Sequence, residues 1–287
     1  MNTTRARKIV VGDVHGELAG LREVLRHSGL IDNRDDWAGG RAVLIQTGDV
    51  IDRGPQSVEA MALLRKLQEQ AEPEGGKVVR LCGNHELRLL QGKYSYANFA
   101  EPARLAGELR KEILAKDLAA AYTDGVRLYT HAGLRSSVRH VLEEERAPGR
   151  PGSRKEQAAL QTLADRINKA LINALGSKDL KSHPIFHVDR KRGGPHESGG
   201  IFWGDYTRIE GSLRAYDIPQ VFGHTPSRQG RVQHARGLKL IDIDCGMCRA
   251  YGGNRAYLEI EPSGVVIEHH KSAGRWKKTT LAENADQ

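Results

Sequence analysis

Short apolar runs alternate with segments of helical period through the N-terminal part of the chain. Three runs stop at polar loops: Ile9–Val11 before Gly12-Asp13, Ala42–Ile45 before Gly48-Asp49, and Val78–Leu81 before Gly83-Asn84. Between them, apolar side chains recur three and four residues apart, which predicts amphipathic helices. This alternation is typical of βαβ units, whose ligands collect at the carboxyl ends of the strands. We therefore expect functional loops along one edge of a sheet.

The pattern changes after Val126. A run at 126–129 precedes His131, and Val221-Phe222 precedes Gly223-His224. A polar, basic stretch at about 137–200 predicts a mostly helical insert. Further runs predict antiparallel strands of a second sheet, namely Leu238–Ile243, Arg255–Ile260 and Val265–His269. We predict an α/β (α+β) fold with a single domain over 1–270 and a disordered tail over 271–287.

Composition narrows the class of protein. We expect a soluble, cytoplasmic protein with no membrane segment, because the chain has no long apolar run and its N-terminus is polar. Three cysteines argue against a secreted disulfide framework. The net charge of +8 favours anionic ligands, and phosphate is enough to satisfy it. Nucleic acid is a possible partner but is not favoured, because no aromatic-rich basic strip is present. The oligomeric state is left open.

Carboxylates, imidazoles and one amide follow the strand-like runs, which predicts a metal site. Asp13 and His15 are two residues apart, so both can grip one ion from an extended strand end. Asp49 can bridge to a second ion, which Asn84, His131 and His224 would also bind. Mixed nitrogen and oxygen ligands suit manganese, iron or zinc better than calcium. We predict two divalent ions, with Mn²⁺ as the first choice.

Such a pair of ions predicts phosphoester hydrolysis. Two ions roughly 3.5 to 4 Å apart can hold a bridging hydroxide that attacks phosphorus in line. His85 is placed to donate a proton to the leaving group, and Asp52 would orient that imidazole. Arg53 can bind two phosphate oxygens and neutralise transition-state charge. A single loop motif with these polar residues could be a turn with a capping Asp, but five such motifs, each after a predicted strand, make coincidence improbable.

These motifs carry a family resemblance, which extends from Lys8 to about Glu268. The chain resembles calcineurin-like metallophosphoesterases of the phosphoprotein phosphatase type, and most of all the Shewanella-like bacterial-type protein phosphatases. The matching segments are Gly12–Gly16, Gly48–Gly54, Gly83–Glu86, His131–Gly133, Gly223–Thr225 and Ile243–Gly253. The resemblance implies a two-sheet β-sandwich flanked by helices, two metals, and activity on phosphorylated side chains.

One segment departs from the family pattern. Close relatives carry an arginine for the substrate phosphate before the last His motif, whereas this chain has Asp205 there. We expect Asp205 to form an ion pair and Arg208 or Arg192 to replace the missing guanidinium. The alternative is that Arg53 alone binds the substrate phosphate. Phosphate binding is therefore assigned to Arg53, Asn84 and Arg208.

Three functions remain open at this point. The first is a phosphatase acting on phosphoserine, phosphothreonine or phosphotyrosine in proteins, or on small phosphoesters. The second is a nucleotide or nucleic-acid phosphohydrolase, such as a dinucleoside tetraphosphatase. The third is an inactive metal-binding scaffold, and the complete set of candidate ligands together with His85 counts against it.

Overall fold

The structure is a computed structural model that describes residues 6–135, 138, 153–206, 218–235 and 237–281. Strands and helices alternate along its first half, as the apolar pattern predicts. The strands are β1 Lys8–Val11, β2 Val43–Gln46, β3 Lys77–Leu81, β4 Leu118–Ala119, β5 Ala121–Thr123, β6 Leu128–Thr130, β7 Gln220–Phe222, β8 Gln233–Ala235, β9 Leu240–Asp242, β10 Ala256–Ile260, β11 Val266–Ser272 and β12 Arg275–Leu281. The α-helices are α1 Leu18–His27, α2 Ser57–Ala71, α3 Asn84–Leu90, α4 Pro102–Ala115 and α5 Arg154–Ser177.

Two sheets face each other. The 7-stranded sheet has the order β12-β11-β10-β1-β2-β3-β4, and the 5-stranded sheet has the order β5-β6-β7-β9-β8. Strands β1 to β4 are parallel, and β6, β7 and β9 are parallel in the second sheet. The carboxyl ends of the parallel strands in each sheet can therefore deliver loops to one edge.

Alternate side chains of the strands enter two different layers of core. Val10 and Ile45 from the first sheet pack with Tyr129 and Val221 from the second. Ile9 and Leu44 face the other way, into the core that also contains α1 and α2. Successive side chains of a strand point to opposite faces, so strands covered on both sides are apolar throughout. The predicted two-sheet sandwich flanked by helices is confirmed.

The assignment of the C-terminal strands to one antiparallel second sheet is wrong. Strand β9 is in the second sheet as predicted, where it is antiparallel to β8 and parallel to β7. Strands β10 and β11 are antiparallel as predicted, but they extend the first sheet, because β10 pairs with β1. Pairing between strands so distant in sequence depends on tertiary contacts, which local alternation of apolar residues does not specify.

The insert and the tail also differ from the prediction. Within the described part of the insert, α5 ends at Ser177, and the following residues to Gly200 form a loop with short 3-10 turns. The disorder predicted for 271–287 is wrong for Arg275–Leu281, which forms β12 along β11. Leu281 is buried and Trp276 stacks on His27 at 4.0 Å between ring centroids. No helix among the described residues is long and apolar enough to span a bilayer.

Candidate metal centre

The predicted site residues that the structure describes follow the carboxyl ends of strands from both sheets, mostly on loops, and Asn84 and His85 begin helix α3. Five of them have a positive backbone φ although none is glycine, namely His15 (48°), Asp49 (53°), Asp52 (68°), Arg53 (68°) and His224 (75°). This conformation costs side-chain-bearing residues free energy and persists only when the surroundings enforce it. Its concentration in these loops marks them as a constrained site.

One group of ligand atoms surrounds His131. Its Nε2 lies 2.9 Å from Asn84 Oδ1, 3.1 Å from His224 Nδ1 and 3.6 Å from Asp49 Oδ2. Its Nδ1 lies 2.9 Å from the carbonyl oxygen of Thr47, so Nδ1 carries the hydrogen and Nε2 presents a lone pair. That lone pair therefore faces the amide oxygen of Asn84 and the carboxylate oxygen of Asp49, an arrangement that a cation would stabilise.

A second group surrounds His15. Its Nε2 lies 3.7 Å from Asp49 Oδ2 and 3.9 Å from Asp13 Oδ2. Its Nδ1 lies 3.0 Å from the carbonyl oxygen of Ile51, which again leaves Nε2 free for a metal. Asp49 thus belongs to both groups, as the prediction of a bridging carboxylate requires.

Electrostatics favour the metal-binding forms of the imidazoles and of Asp49, whereas burial and the charges of Asp244 and Asp49 raise the pKa of Asp13. Burial lowers the pKa of His15 to about 4 and also lowers the pKa values of His131 and His224. Burial alone would raise the pKa of Asp49, but His131, His85 and His15 outweigh it and hold this pKa below its ordinary value. Neutral imidazoles around an ionised carboxylate are the protonation states that a divalent ion needs.

His85 and Asp52 form a buried pair beside this centre. His85 Nδ1 lies 2.6 Å from Asp52 Oδ2, and His85 Nε2 lies 3.9 Å from Asp49 Oδ2. Burial lowers the pKa of His85, but Asp49 and Asp52 outweigh burial and raise it. His15, Asp49 and His85 lie close enough to hold an ion together. The link to Asp52 and the raised pKa instead favour a proton-carrying imidazole.

Glu86 organises the loop of Asp49, a role that the sequence did not reveal. Its carboxylate accepts hydrogen bonds from the backbone N–H groups of Asp49 (2.9 Å), Val50 (2.9 Å) and Gly83 (2.8 Å). Burial first, and then the charge of Asp49, raise the pKa of Glu86 to about 7. The only sequence signal is its place directly after His85, in the segment Gly83–Glu86 that matches the resembling family.

The cleft above the ligands contains three guanidinium groups. A cavity of about 160 Å³ is lined by Asp13, His15, Asp49, Arg53, Asn84, His85, Arg88, Arg192, Trp203, His224, Pro226, Asp244 and Tyr251. Arg53 stacks on Tyr251 at 4.9 Å, and Arg88 stacks on Trp203 at 4.9 Å. A larger cavity of about 600 Å³, between β3–β5, α4 and α5, is lined by none of the predicted site residues.

Arg192 enters this cleft from the insert. It donates to Thr225 Oγ1 at 2.9 Å, next to the candidate ligand His224. It also lies 3.3 Å from Asp205, which confirms the expected ion pair. Arg208, the other proposed replacement, lies outside the described residues. The structure therefore brings together all the predicted site residues that it describes, including Arg192, and it adds Arg88, Glu86 and Asp244.

Comparison with known proteins agrees with this geometry. The family model for calcineurin-like phosphoesterases matches residues 6–228. Shewanella-like protein phosphatase 2 of Arabidopsis thaliana is 41% identical over 31% of this chain and 23% of its own length. A symmetrical bis(5'-nucleosyl)-tetraphosphatase of Stutzerimonas stutzeri is 36% identical over 28% of this chain and 24% of its own. The chain thus aligns with about a quarter of the length of each of these two relatives.

A solved structure extends the likeness to nearly the whole chain. A cold-active protein tyrosine phosphatase structure superposes with a TM-score of 0.66, over 97% of this chain and 79% of that one. The two sequences are 23% identical, so this match concerns the fold alone.

Proposed function

The chain belongs to the calcineurin-like phosphoesterase family, and from that premise we propose that it hydrolyses phosphate monoesters at a binuclear metal centre. The observation that carries this proposal is the convergence on Asp49. Its carboxylate belongs to the group with His15 and to the group with His131 and His224. Asp13 joins the first group, and Asn84 joins the second.

The donor atoms fit two divalent ions. Asp13, His15 and Asp49 would hold the first ion, and Asp49, Asn84, His131 and His224 would hold the second. When bound, the ions would supply an activated water and neutralise charge on the phosphoryl oxygens. The mixture of imidazole and oxygen donors suits manganese, with iron or zinc as alternatives.

His85 is the proposed proton donor to the leaving oxygen. Asp52 holds its Nδ1, so its Nε2 faces the cavity. The carboxylates of Asp49 and Asp52 raise its pKa against the effect of burial, which favours the protonated imidazole that a general acid requires. Asp52 acts through His85 and is a positioning residue.

Phosphate binding is proposed for Arg53, Arg192 and Asn84. Arg192 Nε is buried without a hydrogen-bond partner, so it has a donor left for a phosphate oxygen. The ion pair with Asp205 holds the guanidinium in place while its charge stays in the cleft. A role for Arg208 in phosphate binding stays a prediction.

The substrate proposed first is a phosphorylated side chain of a protein. The name of the Arabidopsis relative supports this choice. The alternative is a nucleotide phosphohydrolase, which is favoured by the three guanidinium groups in the cleft and by the name of the tetraphosphatase relative. A cytoplasmic location stays a prediction.

One panel of substrates separates these alternatives. With manganese present, we would measure kcat/KM for phosphoserine, phosphothreonine and phosphotyrosine peptides, for diadenosine tetraphosphate and for a 5'-phosphorylated oligonucleotide. The proposal expects the highest value for a phosphopeptide. A highest value for the dinucleotide would establish the alternative, and no turnover of any of them would contradict both.

A further inference from the structure

Asp244 lies in the cavity of the metal centre, and none of the roles above uses it. The residue is 2% exposed and lines the cavity with Asp13, His15 and Asp49. Its Oδ1 accepts a hydrogen bond from the N–H of Gly246 at 3.0 Å. Its Oδ2 is buried without a hydrogen-bond partner. A buried carboxylate oxygen in this condition costs free energy unless a cation or a proton satisfies it.

Backbone contacts fix Asp244 beside the loop of Asp13. A Cβ atom on Gly12 would lie 2.3 Å from the carbonyl oxygen of Ile243 and 3.2 Å from Asp244 Cα. Glycine at position 12 therefore lets the two loops touch. Asp244 is also held by its own backbone, because its carbonyl oxygen accepts a hydrogen bond from the N–H of Ser227 at 2.8 Å.

We infer that Asp244 is a further carboxylate ligand of the first metal ion, bound directly or through one water molecule. The inference rests on the proposed function. The second ion would have four protein ligands, whereas the first would have only Asp13, His15 and Asp49. Zinc sites usually take four ligands and octahedral sites take six. Asp244 supplies an anion beside the loop of Asp13, the carboxylate proposed for the first ion.

Asp242 offers a matched control in the same strand segment. It is also buried, and its Oδ2 likewise lacks a hydrogen-bond partner. It accepts a hydrogen bond from the N–H of Asp244 at 3.0 Å. However, Asp242 is not one of the described residues that line the cavity. Replacing it removes a buried carboxylate from the segment without removing one from the cavity, and asparagine keeps an oxygen that can accept the hydrogen bond.

The test measures metal binding rather than turnover. Wild type, Asp244→Asn, Asp242→Asn and Asp49→Asn would be stripped of metal, titrated with Mn²⁺ by equilibrium dialysis and analysed for bound metal. For Asp244→Asn we expect one of the two sites to weaken by about 10-fold or more, the scale found for groups that support a metal site. Asp242→Asn should keep both affinities. Thermal unfolding of the metal-free proteins should show Asp244→Asn at least as stable as wild type, because a repulsion with Asp13 is removed.

Each other outcome has a definite meaning. If Asp244→Asn bound manganese at both sites with wild-type affinity while Asp49→Asn bound it more weakly, this inference would be overturned and the proposed function would stay intact. Equal losses in Asp244→Asn and Asp242→Asn would also overturn it, since the cause would then be the loss of any buried charge in the segment. Wild-type protein that binds no manganese would overturn the proposed function as well.

Discussion

The metal-ligand loops and the loop that carries Arg192 are held in different ways. Asp49 and His131 lie at strand ends. The backbone N–H of Asp49 donates to the carboxylate of Glu86, and the Nδ1–H of His131 donates to the carbonyl oxygen of Thr47. Arg192 comes from the insert and reaches the cleft through side-chain contacts with Thr225 and Asp205. We propose that the metal-ligand loops determine whether hydrolysis occurs, whereas the loop that carries Arg192 determines how well the substrate phosphate is bound.

The largest expected loss of activity comes from a change in the metal-ligand loops. Asp49→Asn should lower kcat/KM by about 10³-fold or more, beyond the usual loss for a single stabilising donor, because one change weakens both ion sites. Steady-state kinetics at saturating manganese would measure it. An activity within 10-fold of wild type would show that Asp49 does not bridge the two groups of ligands.

His85→Asn should have the next largest effect. We expect both metals to be retained and hydrolysis of an alkyl phosphate to slow by about 10²-fold or more, the usual scale for a lost general acid. A nitrophenyl phosphate should lose less, because its leaving group needs no proton. Equal losses on the two esters would remove His85 from the acid role, and loss of a metal would make it a ligand.

Arg192→Ala tests the contribution of the insert loop to phosphate binding. It should cost about 2 kcal/mol in kcat/KM on one phosphopeptide, as expected for a charge-assisted phosphate contact, and leave metal content unchanged. The matched control is Arg190→Ala in the same 3-10 turn, whose exposed side chain pairs with Glu197 at 3.4 Å. Wild-type kinetics for Arg192→Ala would leave Arg53 and Arg88 as the candidate phosphate arginines of the described cleft.

The smallest effect on activity is expected for β12, which contributes no side chain to the cleft. Trp276→Ala removes the stack on His27 and should lower the free energy of unfolding by about 1–3 kcal/mol, the common range for a point mutation. Its kcat/KM should stay within about 2-fold below the unfolding transition. Denaturant unfolding and steady-state kinetics on the same preparation would check both parts. A large fall in kcat/KM would show that this edge of the sheet affects the candidate site.

The candidate metal ligands can be recognised in the sequence because each one lies within a few residues after the end of a strand. The apolar run positions the backbone, and the residue type then supplies the ligand, so local patterns are sufficient for Asp13, Asp49 and Asn84. The role of Glu86 in holding the loop of Asp49 could not be predicted from local patterns, because its hydrogen-bond partners include N–H groups more than 30 residues earlier.

The errors in the fold have a related cause. Arg275–Leu281 pairs with β11 at the edge of the sheet and leaves most of its side chains exposed. Its polar sequence therefore resembles that of a disordered tail, although one edge of its backbone is paired. The pairing of β10 with β1 joins opposite ends of the chain and likewise has no local signature.

The binuclear centre is tested most directly by metal content and turnover measured on the same sample. Metal-free protein would be titrated with Mn²⁺ while bound metal and hydrolysis of a phosphate monoester are followed together. The account predicts no turnover without metal, two ions per chain at saturation, and full activity only when both sites are filled. Normal turnover by metal-free protein would contradict it.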